Sequence, residues 1–529
     1  MIRLALAATL TAPLLWLAIV GFDARAFGLM DYAALWIGTR NTLIYALSVA
    51  AITGVLAPIF AFVLTRARFA GRGALQALLT FPAALPAVLL AMGQLDAWSD
   101  KGGLFAGALP FAITGPVGIV LVTAGAYLPW LLEPLCRAIE RCDVALEEAA
   151  RVSGAGPLRA FVQATWPLIR GEWLAGVTVI ASMTAATFGV PYFLGSLAEK
   201  PFATLTTDMV QIVSLSGEAA TARATLLAVP LVLFSLGTFF LAARLRGKTS
   251  GDSGRPGIAV RMPLTPATRA AVVIAWIFGV LSVLVPLVAL VARATAADPS
   301  RPLSSARSLA AFTALAATAA PFLRSIALAT ISAAAIVLVA ATWALAREGR
   351  AAVAARQSLT VLYALPGTLV ALGLVFFAAS NVRVVLFDRV TLAFALSNTL
   401  VLIAIAYVTK YLAVGIETAR AAFARVSPTL VEAARLSGAS PRTAALHVTL
   451  ALSRPALVSV YALLWMTLLP ELTMSVLLFG PETQTLGTTL FELATYTDPA
   501  QAAALAVLLS AMCMGLHTWV GRRAMVDHG

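Results

Sequence analysis

The chain has 529 residues, of which 60% are hydrophobic and only 12% are charged, and its mean hydropathy is +0.92. Soluble globular proteins average about 45–50% apolar and about 25% charged residues, so this composition excludes an ordinary soluble protein. The net charge of +13 comes from basic residues dispersed in short segments between apolar runs. It therefore does not indicate a nucleic-acid-binding face or tail. The three scattered cysteines form neither a disulfide framework nor a zinc-binding spacing.

Apolar runs long enough to cross a bilayer, about 20 residues each, follow one another along the chain and predict twelve spans. Six lie near residues 4–21, 42–65, 74–95, 111–135, 173–195 and 224–243. Six more lie near residues 270–292, 322–346, 358–380, 391–415, 455–480 and 500–521. The fold class predicted is an all-α polytopic membrane protein. The first run also resembles a signal peptide, with Ala24-Arg25-Ala26 as a cleavage site, and we interpret it as an uncleaved first span.

The polar, Gly- and Pro-rich stretch between the sixth and seventh runs is interpreted as a linker. It divides the chain into a first repeat at 1–247, a cytoplasmic linker at 248–268 and a second repeat at 269–529. At the start of the polar stretch, Gly247-Lys248-Thr249 resembles the end of a phosphate-binding P-loop. Ala242 occupies the position of the first required glycine, and no soluble strand precedes the stretch. The chain is therefore predicted to hold no ATP site of its own.

Two charged segments in the otherwise apolar chain are nearly identical. The sequence LEEAARVSGAGPLRAF (146–161) returns as LVEAARLSGASPRTAAL (430–446), at an offset of 284 residues. Earlier in each half, LPAVLLAMG (85–93) matches LPGTLVALG (365–373) at an offset of 280. The sequence thus predicts one six-span unit present twice.

The number of spans sets the orientation of the repeats. Six spans return the chain to its starting side, so the two units are predicted to be parallel and both repeated loops to face one compartment. With the N-terminus inside, the inner segments hold 25 of the 37 Lys and Arg residues and the outer loops hold 11. The positive-inside rule then places both repeated loops and both termini in the cytoplasm.

Each repeated loop is predicted to form a short helix, a turn and a second helix. Asp143 and Ser427 suit helix N-caps, and Gly154 and Gly438 stand where a helix end favours positive φ. Prolines at 157 and 441 suit the start of the second helices. A capped amphipathic helix on the membrane surface would explain one copy. Two copies with the same Glu, Ala-Ala, Arg, Ser and Gly favour docking faces for a partner that is itself twofold.

These segments resemble the EAA loop of ABC-importer permeases, whose pattern is Glu-Ala-Ala, three residues, Gly and an apolar tail. The second copy departs in its tail, where Leu450 and Ala451 replace Trp166 and Pro167. In that family the loop forms a coupling helix that sits in a groove of an ATP-hydrolysing subunit. The resemblance implies the docking residues Glu148, Ala149, Ala150, Gly154, Glu432, Ala433, Ala434 and Gly438.

The resemblance also implies partners and a location. It implies two copies of a cytoplasmic ATP-binding subunit that uses ATP and magnesium, a periplasmic or lipoprotein substrate-binding protein, and a bacterial inner-membrane location. No cofactor, metal site or catalytic residue is expected in this chain, which would be a transport subunit and not an enzyme. A gradient-driven secondary transporter is the alternative of another class, and the parallel repeats and few intramembrane charges disfavour it.

Two permease halves in one chain resemble the group of ferric-iron, thiamine and aminoethylphosphonate importers. Two stretches, 187–209 and 470–493, resemble the iron type through Thr-Leu pairs closely followed by Thr-Thr. Ferric iron is therefore the expected substrate, with thiamine, a phosphonate or a polyamine as alternatives.

Glu471 follows Pro470 in an apolar run and is the acid that the sequence places deepest in a span. A carboxylate at a helix centre costs about 2.5–3.5 kcal/mol on insertion, so it rarely faces lipid. Proline lacks an N–H, so a kink or break is expected here. Glu471 and Pro470 are therefore candidates for the translocation pathway. The alternative is a carboxylate that caps the backbone N–H groups freed by the break.

Overall fold

A computed structural model describes residues 2–21, 31–99, 103–195, 198, 201–214, 218–246, 262–298, 308–346, 349–379, 383–386, 390–393 and 398–526. Within these residues the regular structure is helical, apart from one antiparallel hairpin formed by strands Arg383–Leu386 and Val390–Ala393.

The helices of the first half follow in chain order. They are Ile2–Gly21, Tyr32–Arg66, Arg72–Thr80 with a 3-10 turn at Phe81–Ala84, Ala87–Trp98, Pro116–Arg141, Val144–Val152, Pro157–Ala160 with a π turn at Phe161–Thr165, Trp166–Ala185, Gly189–Gly195, Leu205–Ser214 and Glu218–Arg246.

The second half contains a similar series. Its helices are Pro266–Gly279 with a π turn at Val280–Leu284, Val285–Ala294, Ala310–Ala314 with a 3-10 turn at Leu315–Thr318, Ala319–Leu345, Arg350–Ala364, Gly367–Ala379, Leu400–Ala424, Pro428–Leu436, Pro441–Ala444 with a π turn at Ala445–Leu450, Ala451–Leu468, Ser475–Leu478, Leu486–Glu492 with a π turn at Leu493–Thr497, and Pro499–Val526.

The membrane-spanning character of these helices follows from their length and composition. Eight described helices are long and apolar enough to cross a membrane, and up to eleven spans result if each of three bent pairs is one span. A shorter apolar helix, Arg3–Leu15, lies at the first predicted run. Leu323, Ile331 and Leu338 are about two-thirds exposed along one helix, as side chains facing lipid are. The predicted all-α polytopic membrane fold is confirmed.

Two of the bent pairs lie at matching places in the two halves. Helices Arg72–Ala84 and Ala87–Trp98 meet at 111°, and helices Arg350–Ala364 and Gly367–Ala378 meet at 107°. The repeated Leu-Pro dipeptide, at 85–86 and 365–366, stands in each break. Since proline can neither donate a helical hydrogen bond nor fit against the preceding turn, it ends the first helix of each pair.

Two predicted spans differ from the structure at their ends. The run at 391–415 begins on the strand Val390–Ala393, and its helix starts only at Leu400, where Thr399 caps it by accepting a backbone hydrogen bond. β-branched residues in the hairpin favour the extended chain. The run at 455–480 is likewise not one helix, because its helix ends at Leu468, two residues before Pro470.

The first helix of each half packs against the opposite half. Helix Ile2–Gly21 lies against Arg350–Ala364 and Gly367–Ala379, whereas helix Pro266–Gly279 lies against Tyr32–Arg66. The two halves are therefore interlocked and not simply placed side by side.

Gly93 and Gly373 stand at matching positions of the two halves, and each lets its helix lie close to the backbone of a helix from the other half. A Cβ added to Gly93 would lie 2.4 Å from the Pro286 carbonyl oxygen, and one added to Gly373 would lie 3.0 Å from the Pro13 carbonyl oxygen. Only a residue without a side chain lets the helix backbones approach this closely.

The predicted linker 248–268 lies largely outside the described residues, which resume at 262. Its last residues belong to helix Pro266–Gly279, in which Thr265 forms a capping box with Thr268. The sequence Thr-Pro thus starts this helix within the last residues of the predicted linker. The division into two repeats stays a prediction.

Candidate functional site

The two repeated loops each begin with a nine-residue helix, Val144–Val152 in the first half and Pro428–Leu436 in the second. Asp143 caps the first helix by accepting a backbone hydrogen bond at 2.9 Å, as predicted. Ser427 occupies the same position, but its side chain forms no capping hydrogen bond and its hydroxyl lies 2.7 Å from that of Thr429. Pro428 at the first helical position supplies the fixed φ that starts this helix instead.

Both helices end at a glycine in the left-handed conformation. Gly154 has φ of +87° and Gly438 has φ of +89°. In each copy the glycine N–H donates to the carbonyl three residues earlier, at 2.9 and 3.0 Å, and the following N–H donates to the carbonyl five residues earlier, at 3.0 Å. This pair of bonds is a Schellman motif, and the positive φ predicted from the sequence is confirmed.

The two helices present the same face outward. Exposed or half-buried positions correspond one to one in the two copies: Glu148, Ala149 and Ala150 in the first and Glu432, Ala433 and Ala434 in the second. One turn on, Val152 is 90% exposed and Leu436 is 91% exposed. Each loop therefore presents an exposed apolar side chain beside its charged face at the same position.

Glu471 lies in the break that follows helix Ala451–Leu468 and is 7% exposed. Its carboxylate accepts from Met474 N at 2.9 Å and from Ser475 N and Ser475 Oγ, both at 3.1 Å. This is the geometry of the capping alternative. The pathway role of Glu471 and Pro470 stays a prediction.

Lys410 is a half-buried lysine that the sequence did not single out. It lies within helix Leu400–Ala424, and its Nζ donates to the carbonyl of Tyr363 at 2.7 Å and to that of Leu365. It also lies 5.2 Å from the centroid of the Tyr363 ring. These two carbonyls lie at the end of helix Arg350–Ala364, where the chain bends. The ammonium group therefore donates to acceptors that have no helical partner because of the break. A lone lysine in an apolar run is the sequence feature that could have identified it.

Polar side chains occupy matching positions in the two halves. Tyr127 Oη lies 2.6 Å from Thr187 Oγ1 in the first half. Tyr411 stands 284 positions after Tyr127, and Glu471 stands 284 positions after Thr187. Matching positions of the two repeats therefore carry polar side chains in both halves.

The Thr-rich stretches interpreted above as iron-type serve as helix caps. Thr485 forms a capping box with Thr488 at the start of helix Leu486–Glu492. At the start of helix Leu205–Ser214, Thr204 N donates to Thr207 Oγ1 at 2.8 Å. The local structure thus accounts for these threonines without a substrate.

A cavity of about 330 Å³ opens near the start of helix Tyr32–Arg66, lined by Asp31, Asp208 and Arg223 among others. Burial raises the pKa of Asp208 to about 6, because desolvation disfavours the carboxylate. With the predicted orientation this cavity faces the outer side.

A second feature missed from the sequence is an ion pair between Arg66 and Glu147 beneath the first repeated loop. Glu147 is buried whereas its neighbour Glu148 is exposed. From the sequence, only the helical period could have suggested that two adjacent carboxylates lie on different faces of the helix.

Residues 335–525 match the family model of the binding-protein-dependent transport system inner membrane component. The matched region contains the second repeated loop and the Glu471 break.

Individual relatives are similar over comparable lengths. The sulfate transport system permease protein CysT of Salmonella typhimurium is 30% identical over 205 residues, which are 38% of this chain and 74% of the relative. The CysT protein of Synechococcus elongatus is 30% identical over 213 residues, covering 40% and 75% of the two chains. The molybdenum transport system permease protein ModB of Escherichia coli K12 is 28% identical over 200 residues, covering 36% and 86%.

These relatives are permease subunits of ABC transport systems and not enzymes, and the family is named for transport systems that depend on a binding protein. Given this similarity and the multi-span helical fold, the chain belongs to the family of inner membrane components of binding-protein-dependent transport systems.

Proposed function

We propose that this chain supplies both halves of the translocation pathway of an ABC importer. The observation that carries the proposal is the pair of repeated loops with the same helix, the same Schellman end and the same exposed face. Two such faces suit two copies of an ATP-binding subunit, one for each loop.

The lengths matched support two halves in one chain. The relatives are matched over 74–86% of their length, yet these matches take up only 36–40% of this chain. The remaining length, the second Leu-Pro bend and the second repeated loop are what a fused second permease unit would add. The proposed boundaries are 1–247 and 269–529.

The mechanism we propose is alternating access. A binding protein docks on the outer loops, ATP binding closes two cytoplasmic subunits, and the two repeated loops carry that motion to the helices. Substrate then passes along the axis between the halves. The distribution of basic residues supports cytoplasmic loops and termini.

For the substrate we propose a tetrahedral oxyanion such as sulfate or molybdate. The names of the relatives include sulfate and molybdenum, and Lys410 places an ammonium group inside the second half, at the end of helix Arg350–Ala364. Ferric iron, expected from the Thr-rich stretches, loses support because those threonines cap helices. The carboxylate of Glu471, a ligand that suits iron, is engaged by three backbone and hydroxyl donors.

The test is reconstitution of the chain in proteoliposomes with a candidate ATP-binding subunit and binding protein from the same genome. We expect ATP-dependent uptake of radiolabelled sulfate or molybdate, and no uptake without the ATP-binding subunit. Uptake of ferric iron alone would restore the iron assignment. Uptake driven by an ion gradient through the chain alone would contradict the ABC mechanism.

A further inference from the structure

The two repeated loops differ on the side that faces the membrane helices. In the first loop, Glu147 points inward and pairs with Arg66 at the C-terminal end of helix Tyr32–Arg66. Arg66 Nε lies 3.1 and 3.0 Å from the two carboxylate oxygens, and Nη2 lies 2.8 Å from Oε1. The side chains of Arg66 and Glu147 are only 2% and 6% exposed. This two-pronged geometry fixes the orientation of the carboxylate as well as its position.

Further bonds make this pair a junction of several segments. Thr165 Oγ1 donates to Glu147, which joins the π turn Phe161–Thr165 to the same carboxylate. The backbone of Arg66 accepts a hydrogen bond from Met262 N at 2.9 Å, just before the first helix of the second half. The Glu147 carboxylate therefore holds the first loop helix to the end of a membrane helix, and the backbone of that helix end bonds the chain that enters the other half.

The second loop lacks this junction. Val431 stands at the position of Glu147, 284 residues later, and cannot form an ion pair. Helix Pro428–Leu436, all of which the structure describes, has no buried residue. Thr449, which corresponds to Thr165, is half-buried. The outward faces of the loops match, whereas this difference lies on the side attached to the membrane helices.

We propose that Glu147 is a positioning residue that holds the first loop helix rigidly to the membrane helices, while the second loop helix moves more freely. The proposal rests on the proposed function in one respect, since it assigns unequal mechanical roles to two coupling loops. A bidentate ion pair with an added hydroxyl bond is directional, whereas the apolar contacts available to Val431 are not. Motion of an ATP-binding subunit would therefore reach the membrane helices more directly through the first loop.

Hydrogen–deuterium exchange of the full chain in nanodiscs tests the attachment without any partner. We expect amides of 144–152 to exchange about tenfold more slowly than those of 428–436 in the wild type, since opening the first helix requires the junction to break. Glu147→Gln should bring the two rates together, and the matched control Val431→Gln should leave the difference intact. Equal rates in the wild type, or a difference that survives Glu147→Gln, would overturn the proposal.

A second variant separates positioning from simple stability. Arg66→Met with Glu147→Val removes both buried charges and keeps the site apolar, a replacement that buried ion pairs often tolerate. In the complex with the ATP-binding subunit, we expect normal accumulation and normal subunit binding, but about threefold less sulfate transported per ATP hydrolysed. A wild-type ratio would overturn the positioning role. A wild-type chain that binds no ATP-binding subunit would instead contradict the proposed function.

Discussion

Gly154 and Gly438, 284 positions apart, adopt the same left-handed backbone conformation, with φ of +87° and +89°. An added Cβ would meet no atom within 4 Å at either position. The need for glycine there thus comes from the backbone and from whatever covers the loop, not from crowding inside the chain.

Replacing Gly154 or Gly438 by valine should abolish or strongly reduce ATP-coupled transport. A β-branched residue at positive φ is strained by roughly 1–2 kcal/mol, and its side chain would obstruct a docking subunit. The protein should still insert and accumulate, because the site is open. The control is Gly156→Val, at φ of −67° and also in open space. Full transport in both Gly154→Val and Gly438→Val would remove the coupling role, and loss of accumulation would indicate a glycine needed only for folding.

Glu471→Gln should lower the stability of the protein by about 1–3 kcal/mol, because one amide cannot accept all the hydrogen bonds that the carboxylate accepts. Thermal unfolding in detergent measures this, with the exposed Glu482→Gln as control. An unchanged melting temperature with reduced transport would favour the pathway role. Wild-type behaviour in both measurements would contradict both roles.

Lys410→Met should reduce oxyanion uptake about tenfold or more, because a charge that attracts an anion is lost in a site of low dielectric constant. Lys410→Arg keeps the charge and should retain more activity. Uptake at saturating binding protein measures both variants, and size-exclusion profiles check that they assemble. Wild-type uptake by Lys410→Met would exclude a role for this cation in transport.

Gly93→Ala should destabilise the protein more than Gly373→Ala, since the added Cβ would lie 2.4 Å from a carbonyl oxygen at Gly93 and 3.0 Å at Gly373. Overpacking of this kind costs about 1–3 kcal/mol. Gly237→Ala is the control, because nothing lies within 4 Å of its added Cβ and alanine favours a helix. Equal melting temperatures for Gly93→Ala and Gly237→Ala would contradict the close packing of the interlocked halves.

Asp208→Asn should stabilise the protein only at neutral and higher pH. The pKa of Asp208 is raised from 3.8 to about 6 by burial, so the folded state holds this proton more tightly than the unfolded state. The contribution of protonated Asp208 to the free energy of unfolding is therefore full below about pH 4 and is lost as the pH rises through about 6. At about pH 7.5 the variant should gain roughly 1 kcal/mol after allowance for solvent screening. Melting temperatures of the wild type and the variant at about pH 4 and about pH 7.5 check this. An equal gain in stability at the acidic pH would contradict it.

The sequence predicted the features that depend on composition and local geometry. Apolar runs revealed the membrane helices, and the Gly154 and Gly438 turns followed from helix-end chemistry. The break at Pro470 was also expected, because a missing N–H acts locally. Contacts between distant segments could not be predicted in this way. The pairing of Arg66 with Glu147, the Lys410 bonds to Tyr363 and the exchange of first helices between halves all join residues that sequence periodicity does not relate. At Thr485 a local capping box accounts for residues that the sequence analysis interpreted as a substrate feature.

The central claim is that one chain carries two coupling loops, each of which docks one ATP-binding subunit. Native mass spectrometry of the complex purified through a tag on this chain tests it most directly. The account predicts one copy of this chain with two copies of the ATP-binding subunit, reduced to one copy by Gly154→Val or Gly438→Val. A complex of two chains with two subunits, or a chain that retains no ATP-binding subunit, would contradict it.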